Sequence, residues 1–203
     1  MYIFFDTETT GLPRDVNLTP DNYPGLSREA FILNFPRIVQ LSWLIYDSNQ
    51  IIIESKDYVI KPDNYIIPER MTEIHGISTE KAKQVGHSLN HVLNQFKKAA
   101  NKCDYMICHN FNFDMNMIKS EFARLKKNYS FFNKCKHICT MHSTTDLLKI
   151  PTHKYEGYKY PKLSELYSFL FDKTFDNAHN AYFDVKATAD CFFRLQELKK
   201  ISV

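Results

Sequence analysis

The chain lacks any long apolar segment. Its most apolar stretch, residues 38 to 46, is interrupted by Gln40 and Ser42, whereas a transmembrane helix needs about 20 largely apolar residues. Acidic residues close to Met1 also argue against a secretory signal, which has a basic start and an apolar centre. We therefore expect a cytoplasmic protein with no membrane partner.

Cysteine is also scarce, with five in 203 residues. An odd number without a secreted context favours free thiols over a disulfide framework. Four neighbouring side chains are all able to bind zinc, yet their spacing fits no familiar zinc finger. We keep a structural zinc as the less favoured alternative for this group, which is Cys135, His137, Cys139 and His142.

An excess of one charge is missing too, since the formal net charge is +3. Attraction of a polyanion such as nucleic acid would therefore depend on local lysine and arginine clusters and on bound cations. No linker divides the chain, and 44% of its residues are hydrophobic. Residues 1–203 are expected to form one domain around one core.

The chain does contain acidic residues at the ends of predicted elements. Residues 2 to 5 read as a buried strand, and Asp6 and Glu8 continue it two positions apart, which turns both carboxylates to the same side. Thr10 and Gly11 then mark a turn. The acidic pair therefore lies at the carboxyl end of a strand, where open α/β sheets place their ligands.

Two further carboxylates lie near the starts of predicted helices. Asp114 follows a predicted strand at 104–108 and would project from the first turn of the next helix. Asp184 lies near the start of a long amphipathic helix, for which Asn180 is the expected N-cap. His179 precedes that helix, and an imidazole whose pKa is near neutrality suits a general base, so we assign His179 to proton transfer.

Four carboxylates and a histidine suit hydrolysis of a phosphodiester by a two-metal mechanism. One cation makes hydroxide near neutral pH, and the other stabilises the leaving oxygen. Hard cations prefer carboxylate oxygens, so we expect two divalent cations, Mg2+, with Mn2+ as a substitute. The predicted metal ligands are Asp6, Glu8, Asp114 and Asp184.

Three segments resemble the three motifs of the DEDDh 3'-5' exonuclease family, in family order. They are Asp6 to Gly11, His109 to Asp114 and His179 to Asp184. The family includes proofreading epsilon subunits of bacterial DNA polymerase III, RNase T and oligoribonuclease. The resemblance covers nearly the whole chain and implies a ribonuclease H-like α/β fold, with a mixed five-stranded central sheet flanked by helices.

The resemblance also implies a role for each motif residue. Asp6 would bridge both cations, and Glu8 and Asp184 would complete the site of the cation that activates water. Asp114 would hold the second cation through water. His179 would deprotonate the attacking water.

Contacts with the terminal nucleotide follow from the same resemblance. Leu12 would act as a wedge beside the last base, and Phe113 would pack near the sugar or base, although Phe113 suits a core position equally well. His75 precedes a glycine, so a simple turn is an equal alternative to a nucleotide contact. The complete predicted set is Thr7, Thr9, Leu12, His75, His109, Asn110 and Phe113.

The activity predicted in this way is metal-dependent hydrolysis at the 3' end of single-stranded or frayed DNA, with release of nucleoside 5'-monophosphates. The segment around His75 resembles proofreading enzymes and favours DNA; a 3'-5' exoribonuclease of the same family is the alternative. A non-catalytic nucleic-acid-binding adaptor is less favoured, because clustered carboxylates repel one another and phosphate unless cations are present. The chain stops soon after its last predicted helix, which favours a free-standing enzyme, with a homodimer as one option, over stable association with a polymerase.

Two connecting segments leave alternatives open. Residues 13–36 either form an ordered loop that gates access of a nucleic-acid strand to the site or form a surface segment without a function in the site. Residues 151–161 interleave lysines with Tyr155, Tyr158 and Tyr160, a combination suited to stacking on single-stranded nucleic acid. The other interpretation is a mobile loop whose tyrosines cover the edge of the core.

Hydrophobic periodicity and capping residues predict the other elements. Strands are expected near 2–6, 37–46, 51–60, 104–108 and 138–141, the first three as an antiparallel meander. Helices are expected near 79–85, 88–101, 113–126, 162–171 and 180–199, with a short one within 26–33. Ser78 is the expected start of the helix at 79–85.

Overall fold

A mixed sheet forms the centre of the fold in the computed structural model, which describes residues 1–153, 156–175 and 180–202. The strands are β1 (Tyr2–Thr9), β2 (Ile38–Tyr46), β3 (Ile52–Val59), β4 (Tyr105–Cys108) and β5 (Lys136–Cys139). Their order is β3-β2-β1-β4-β5. β2 is antiparallel to β1 and β3, while β4 is parallel to β1 and β5. The predicted five-stranded mixed sheet and its antiparallel meander are confirmed.

Helices flank this sheet. Within the described ranges they are α1 (Arg28–Asn34), α2 (Glu69–His75), α3 (Thr79–Val85), α4 (Leu89–Ala100), α5 (Phe111–Arg124), α6 (Thr140–Leu148), α7 (Leu163–Phe171) and α8 (Ala181–Glu197). A short 3-10 helix spans Ser130–Lys134. No helix in the described part of the chain has both the length and the apolar character that crossing a bilayer requires.

The two faces of β1 pack against different helices. Successive side chains of a strand point to opposite faces. Phe5 lies in a buried cluster with residues of α4 and α5, whereas Phe4 lies in a cluster with residues of α8. Asp6 and Glu8 continue the side of Phe4, so the sheet directs both carboxylates toward α8.

The segment 13–36 is ordered and attached to α5. Asn34 is 5% exposed; its Nδ2 donates to the Asp15 carbonyl at 2.6 Å, and its Oδ1 accepts from the Asp15 N–H at 2.9 Å. Arg124 of α5 donates to the Pro36 carbonyl at 3.2 Å. The predicted ordered loop is therefore present, with α1 inside it, while its gating role stays a prediction.

The structure corrects the sequence prediction at β5 and adds two helices. β5 ends at Cys139 rather than continuing to 141, because the Cys139 Sγ accepts the His142 N–H at 3.5 Å and begins α6. α2 was not predicted: it follows Pro68, which supplies no side-chain cap, and it ends at Gly76 with φ of 73°. Cysteine before α6 and proline before α2 are weak sequence signals for a helix start, because neither is a preferred N-cap residue.

Candidate active site

Three carboxylates meet where β1 faces the start of α8. Asp6 and Glu8 lie on β1, opposite Ser42 and Gln40 of β2. Asp184 lies in the first turn of α8. One oxygen from each of the three carboxylates lies within 4.8 Å of the others, and this is the group of metal-capable side chains that the described residues bring together. The fold thus collects three of the four predicted metal ligands.

The start of α8 is fixed to the sheet by two hydrogen bonds. The Asn180 side chain accepts the Tyr182 N–H at 3.1 Å, so Asn180 is the N-cap as predicted. The Ala181 N–H donates to Gln40 Oε1 on β2 at 3.3 Å. Gln40 is 2% exposed, and its Nε2 donates to Asp57 at 2.7 Å, which sets the orientation of its amide. Gln40 was predicted only to interrupt an apolar run; an amide side chain within a buried strand was the sequence signal of this role.

Asp114 is positioned by Thr7. Asp114 is 2% exposed and lies in the first turn of α5. Its Oδ1 accepts the Thr7 N–H at 3.0 Å and the Thr7 hydroxyl at 2.7 Å. Thr7, predicted from the family resemblance to touch the nucleotide, is itself buried with its hydroxyl on Asp114. In the structure, Thr7 therefore orients a predicted metal ligand, Asp114, through hydrogen bonds.

Burial and mutual repulsion raise the pKa values of this cluster. Burial raises the pKa of Asp6 well above its usual range, and the charges of Asp114 and Asp184 add to the shift. Burial and the charge of Asp184 raise the pKa of Glu8 to about 8. Burial raises the pKa of Asp114 to about 7, although its hydrogen bonds from Thr7 act in the opposite direction. The fully ionised cluster is unfavourable by itself, and bound divalent cations would offset the repulsion.

A cavity of about 380 Å3 opens onto this cluster, and Asp6 and Asp184 lie in its wall. Lys162 and Ser164, at the beginning of α7, line the same cavity. A lysine in the wall of a cavity that also carries carboxylates is suited to meeting a phosphate oxygen. Lys162 was not among the predicted site residues, because a lysine at the first position of a predicted helix carries no chemical signal of its own.

His109 also lines the active-site cavity, but both of its ring nitrogens have protein partners. Nε2 lies 2.8 Å from the Pro161 carbonyl, and Nδ1 lies 3.0 Å from the Thr140 hydroxyl. Burial lowers the pKa of His109 to about 4, so the ring is neutral at physiological pH. A carbonyl can only accept, which assigns the proton to Nε2. His109 therefore ties β4 to the segment that precedes α7.

His75 is the last residue of α2, and Gly76 is the helix C-cap. His75 is 6% exposed, and its Nδ1 accepts the Ile77 N–H at 3.2 Å. Its Nε2 is buried and makes no hydrogen bond that meets the usual geometric criteria. The nearby Thr9 backbone favours the protonated ring and so acts to raise the pKa of His75. Burial is the stronger effect and lowers the pKa of His75. The segment does form a turn, next to the first motif, and its nucleotide contact stays a prediction.

The other predicted nucleotide contacts differ in exposure. Leu12 is 80% exposed, as a wedge against a base would have to be. The Thr9 hydroxyl donates to the Gly11 carbonyl at 2.5 Å. Phe113 is partly buried against the main core, which agrees with its core alternative. Asn110 is exposed and adopts a left-handed conformation, φ 72°, as it begins α5.

Two predicted features fall on residues outside the described part of the chain. His179, the predicted general base, is one, and Tyr155 of the aromatic loop is another. In the rest of that loop, Pro151 and Tyr158 pair as an isolated β-bridge. Tyr160 is 53% exposed, so its surface is open to a partner. The roles proposed for these residues therefore stay predictions.

The four zinc-capable side chains do not gather into one group. The Cys135 thiol donates to the Cys103 carbonyl at 3.1 Å. The His137 Nε2 lies 2.7 Å from the Phe132 carbonyl. Within the described part of the chain, none of the four belongs to a group of side chains that could hold a metal ion.

Comparison with known proteins places this geometry in a family. The model of a family described as Exonuclease matches residues 3–192, which include all four predicted metal ligands. This chain belongs to the exonuclease family. The resemblance drawn from the three motifs is thereby confirmed, as is the expected class of enzyme.

Relatives of this exonuclease-family chain are much longer proteins. The DNA polymerase III PolC-type of Caldanaerobacter subterraneus subsp. tengcongensis is 26% identical over 203 residues, which are 100% of this chain and 12% of that protein. A zinc-bound complex of E. coli exonuclease I with single-stranded DNA has a TM-score of 0.72 at 18% identity, covering 97% of this chain and 40% of that one. E. coli exonuclease I in complex with a dT13 oligonucleotide has a TM-score of 0.70 at 18% identity, with coverage of 98% and 42%. The two structures agree with this chain in fold.

Proposed function

We propose that this chain is a metal-dependent 3'-5' exonuclease that hydrolyses the last phosphodiester of single-stranded or frayed DNA and releases nucleoside 5'-monophosphates. The observation that carries the proposal is the meeting of Asp6, Glu8 and Asp184 within 4.8 Å. Without bound cations, the mutual repulsion of these carboxylates is unfavourable. The fold nevertheless brings Asp6 and Glu8, near the start of the chain, together with Asp184, near its end, in a chain of the exonuclease family.

The donor set fits hard divalent cations. Asp6, Glu8 and Asp184 offer only carboxylate oxygens, which Mg2+ and Mn2+ prefer, and no thiol or imidazole belongs to the described cluster. We propose two cations, one held by these three residues and the other by Asp6 and Asp114. When bound, they would supply a Lewis acid for the leaving oxygen and a lowered pKa for the attacking water.

The chain's own residues supply the remaining chemistry. Thr7 holds the Asp114 carboxylate in one orientation through two hydrogen bonds. Lys162, which lines the same cavity as Asp6, would neutralise a phosphate oxygen of the substrate. His179, just before the N-cap of α8, would take the proton of the attacking water, the role implied by its motif.

Support for a single-stranded DNA substrate comes from two directions. Solved complexes of E. coli exonuclease I, which shares the fold, contain single-stranded DNA or dT13. The exposed Leu12 and Tyr160 offer apolar surfaces on which unpaired bases could stack. RNA remains the alternative substrate, because recognition of the 2'-hydroxyl depends on shape around the terminal sugar.

The test is digestion of DNA and RNA oligomers of one sequence, each labelled at the 5' end, with Mg2+, with Mn2+ and with chelator. We expect a ladder that shortens from the 3' end, faster for DNA, and no reaction in chelator. Asp184→Asn should abolish the ladder. Asp190→Asn, six residues further along the same helix, is the matched control and should retain it. Cation-independent cleavage, or full activity of Asp184→Asn, would contradict the proposal. Faster digestion of RNA than of DNA would show that RNA is the preferred substrate.

A further inference from the structure

A second cavity lies at the start of β2, next to the first motif. It has a volume of about 530 Å3, and Arg37 forms part of its wall. The Thr10 N–H donates to the Arg37 carbonyl at 2.9 Å, and the Arg37 N–H donates to the Thr10 hydroxyl at 3.0 Å. The four residues from Asp6 to Thr10 span at most about 13 Å of extended chain. A nucleic-acid strand that ends at Asp6 therefore reaches this cavity only if it extends beyond its last nucleotide.

Arg37 is fixed on one edge and on one face of its guanidinium group. Its Nε donates to Glu121 Oε1 at 2.9 Å, and Glu121 is fully buried. Its guanidinium carbon lies 4.4 Å from the centre of the Tyr65 ring. The terminal nitrogens of Arg37 have no hydrogen-bond partner among the residues that the structure describes, and 24% of the side chain is exposed. A guanidinium oriented in this way offers unused N–H groups whose planar arrangement matches the oxygens of a phosphate.

Two lysines add positive charge beside this guanidinium. Lys61 is exposed and lines the same cavity. Its ammonium group makes no hydrogen bond or ion pair within the described ranges of the chain. The Lys127 Nζ donates to Asn90 Oδ1, and Asn90 lies in the cavity wall at the start of α4. The fixed guanidinium is thus accompanied by one ammonium group that is open to a ligand and by another held beside the wall.

The cavity wall carries more positive than negative charge. Arg124 is a further cation in the wall, but its guanidinium donates to backbone carbonyls, among them that of Pro36 at 3.2 Å. It therefore contributes charge rather than a contact. Asp63 is the carboxylate in the described wall, and Glu121 lies behind Arg37. The remaining excess of positive charge favours an anionic ligand, and the anion that every nucleic-acid strand presents is the backbone phosphate.

We propose that this cavity, the phosphate pocket (Arg37, Lys61, Asn90 and Arg124), binds a phosphodiester of the substrate strand upstream of the nucleotides in the active-site cavity. Arg37 donates to the phosphate through its terminal nitrogens, and Lys61 supplies a second positive charge. The inference rests on the proposed function, because the ligand is the strand whose 3' end is hydrolysed. It adds a contact that is independent of base sequence and that only a strand of sufficient length can make.

The test scans thymidine oligomers in which one phosphodiester at a time is replaced by a neutral methylphosphonate. Affinity for the wild-type chain is measured with Ca2+ in place of Mg2+, so that the strand binds without being shortened. We expect one internal position, separate from the linkages at the 3' end, where the replacement weakens binding by about 3- to 10-fold, the size expected for one partly exposed charged contact. Sensitivity confined to the 3'-terminal linkages, or equal at every position, would overturn the inference.

A pair of lysine variants tests whether the contact lies in the phosphate pocket. Lys61→Gln should weaken binding of the unmodified oligomer. It should also reduce the slope of log affinity against log salt concentration by about 0.7, the value for one phosphate contact with a single strand. Lys98→Gln removes another exposed lysine, near the opposite end of α4, and should change neither quantity. If Lys61→Gln matched Lys98→Gln in both measurements, the inference would be wrong.

Arg37→Gln tests the guanidinium itself. In this variant the methylphosphonate at the sensitive internal position should no longer weaken binding, and a loss as large as in wild type would overturn the role of Arg37. If Arg37→Gln did not fold, because Glu121 loses its partner, the comparison of Lys61→Gln with Lys98→Gln would still decide. Failure of the proposed function gives a distinct result, because no oligomer would then release a nucleotide with Mg2+, while the affinities would still report on the phosphate pocket.

Discussion

Thr7 is the residue through which β1 controls the orientation of Asp114. Its N–H and its hydroxyl both donate to Asp114 Oδ1, at 3.0 and 2.7 Å. Partners that orient a metal ligand typically change metal affinity or activity by about 10- to 100-fold when they are lost. We therefore expect Thr7→Val, which keeps the strand but removes the hydroxyl, to lower the rate by that range and to raise the Mg2+ concentration needed for half-maximal rate.

The conservative change Thr7→Ser is the control, because it restores the hydroxyl. Rates measured across a Mg2+ titration should bring Thr7→Ser close to wild type. Equal losses in both variants with an unchanged Mg2+ dependence would mean that Thr7 acts only through packing.

Single residues were predictable from the sequence where their chemistry was itself the signal. Asp6 and Glu8 share a strand face because of their spacing of two, and Asp184 follows a recognisable N-cap. Thr7 and Gln40 were assigned no positioning role, because their partners are distant in sequence: Thr7 bonds to Asp114, and Gln40 bonds to Ala181. Contacts of that range are set by tertiary packing, which a single sequence does not show.

At the level of elements, the start of α8 connects stability with the active site. Asn180 caps the helix whose first turn carries Asp184. Loss of an N-cap side chain costs about 1 kcal/mol. We expect Asn180→Ala to lower the free energy of unfolding by about that amount and also to reduce the rate of nucleotide release, because Asp184 loses its fixed position.

Ser88→Ala provides the matched comparison. The Ser88 hydroxyl caps α4 by accepting the His91 N–H at 3.3 Å, and α4 carries none of the site carboxylates. Denaturant unfolding should show a similar loss of stability for both variants, whereas the activity of Ser88→Ala should match wild type. An equal loss of activity in the two variants would mean that the α8 cap affects catalysis only through overall stability, which would contradict the prediction.

Helix prediction succeeded where a polar cap precedes an amphipathic run. Ser78 accepts the Lys81 N–H at 3.1 Å and begins α3 as predicted, and Asn180 begins α8. α2 and α6 were not predicted, because Pro68 offers no cap and Cys139 caps through sulfur. Beyond the antiparallel meander of the first three strands, the order of the strands was not predicted, since no local pattern tells which distant strand will pair with β1.

For the whole molecule, the carboxylate cluster links stability to pH. The pKa of Glu8 is raised from 4.5 to about 8, and that of Asp114 from 3.8 to about 7. Between the unfolded and folded pKa values the folded state binds more protons than the unfolded state, so stability falls as pH rises through this window. We expect the Tm of the chain in chelator to decrease from about pH 4 to about pH 8 through this contribution.

Glu8→Gln isolates that contribution, because it removes one of the raised groups. Its Tm should depend less steeply on pH than that of wild type over the same range. Added Mg2+ should flatten the wild-type dependence, since cations replace protons in the cluster. Identical slopes for wild type and Glu8→Gln in chelator would contradict the electrostatic account.

We propose above all that distant parts of the chain fold into one site for divalent cations. The most direct measurement is anomalous diffraction from crystals of the full chain soaked in Mn2+ near neutral pH. We predict two Mn2+ peaks, one between Asp6, Glu8 and Asp184 and the other between Asp6 and Asp114. Carboxylates that lie apart, with no Mn2+ density between them, would contradict the account.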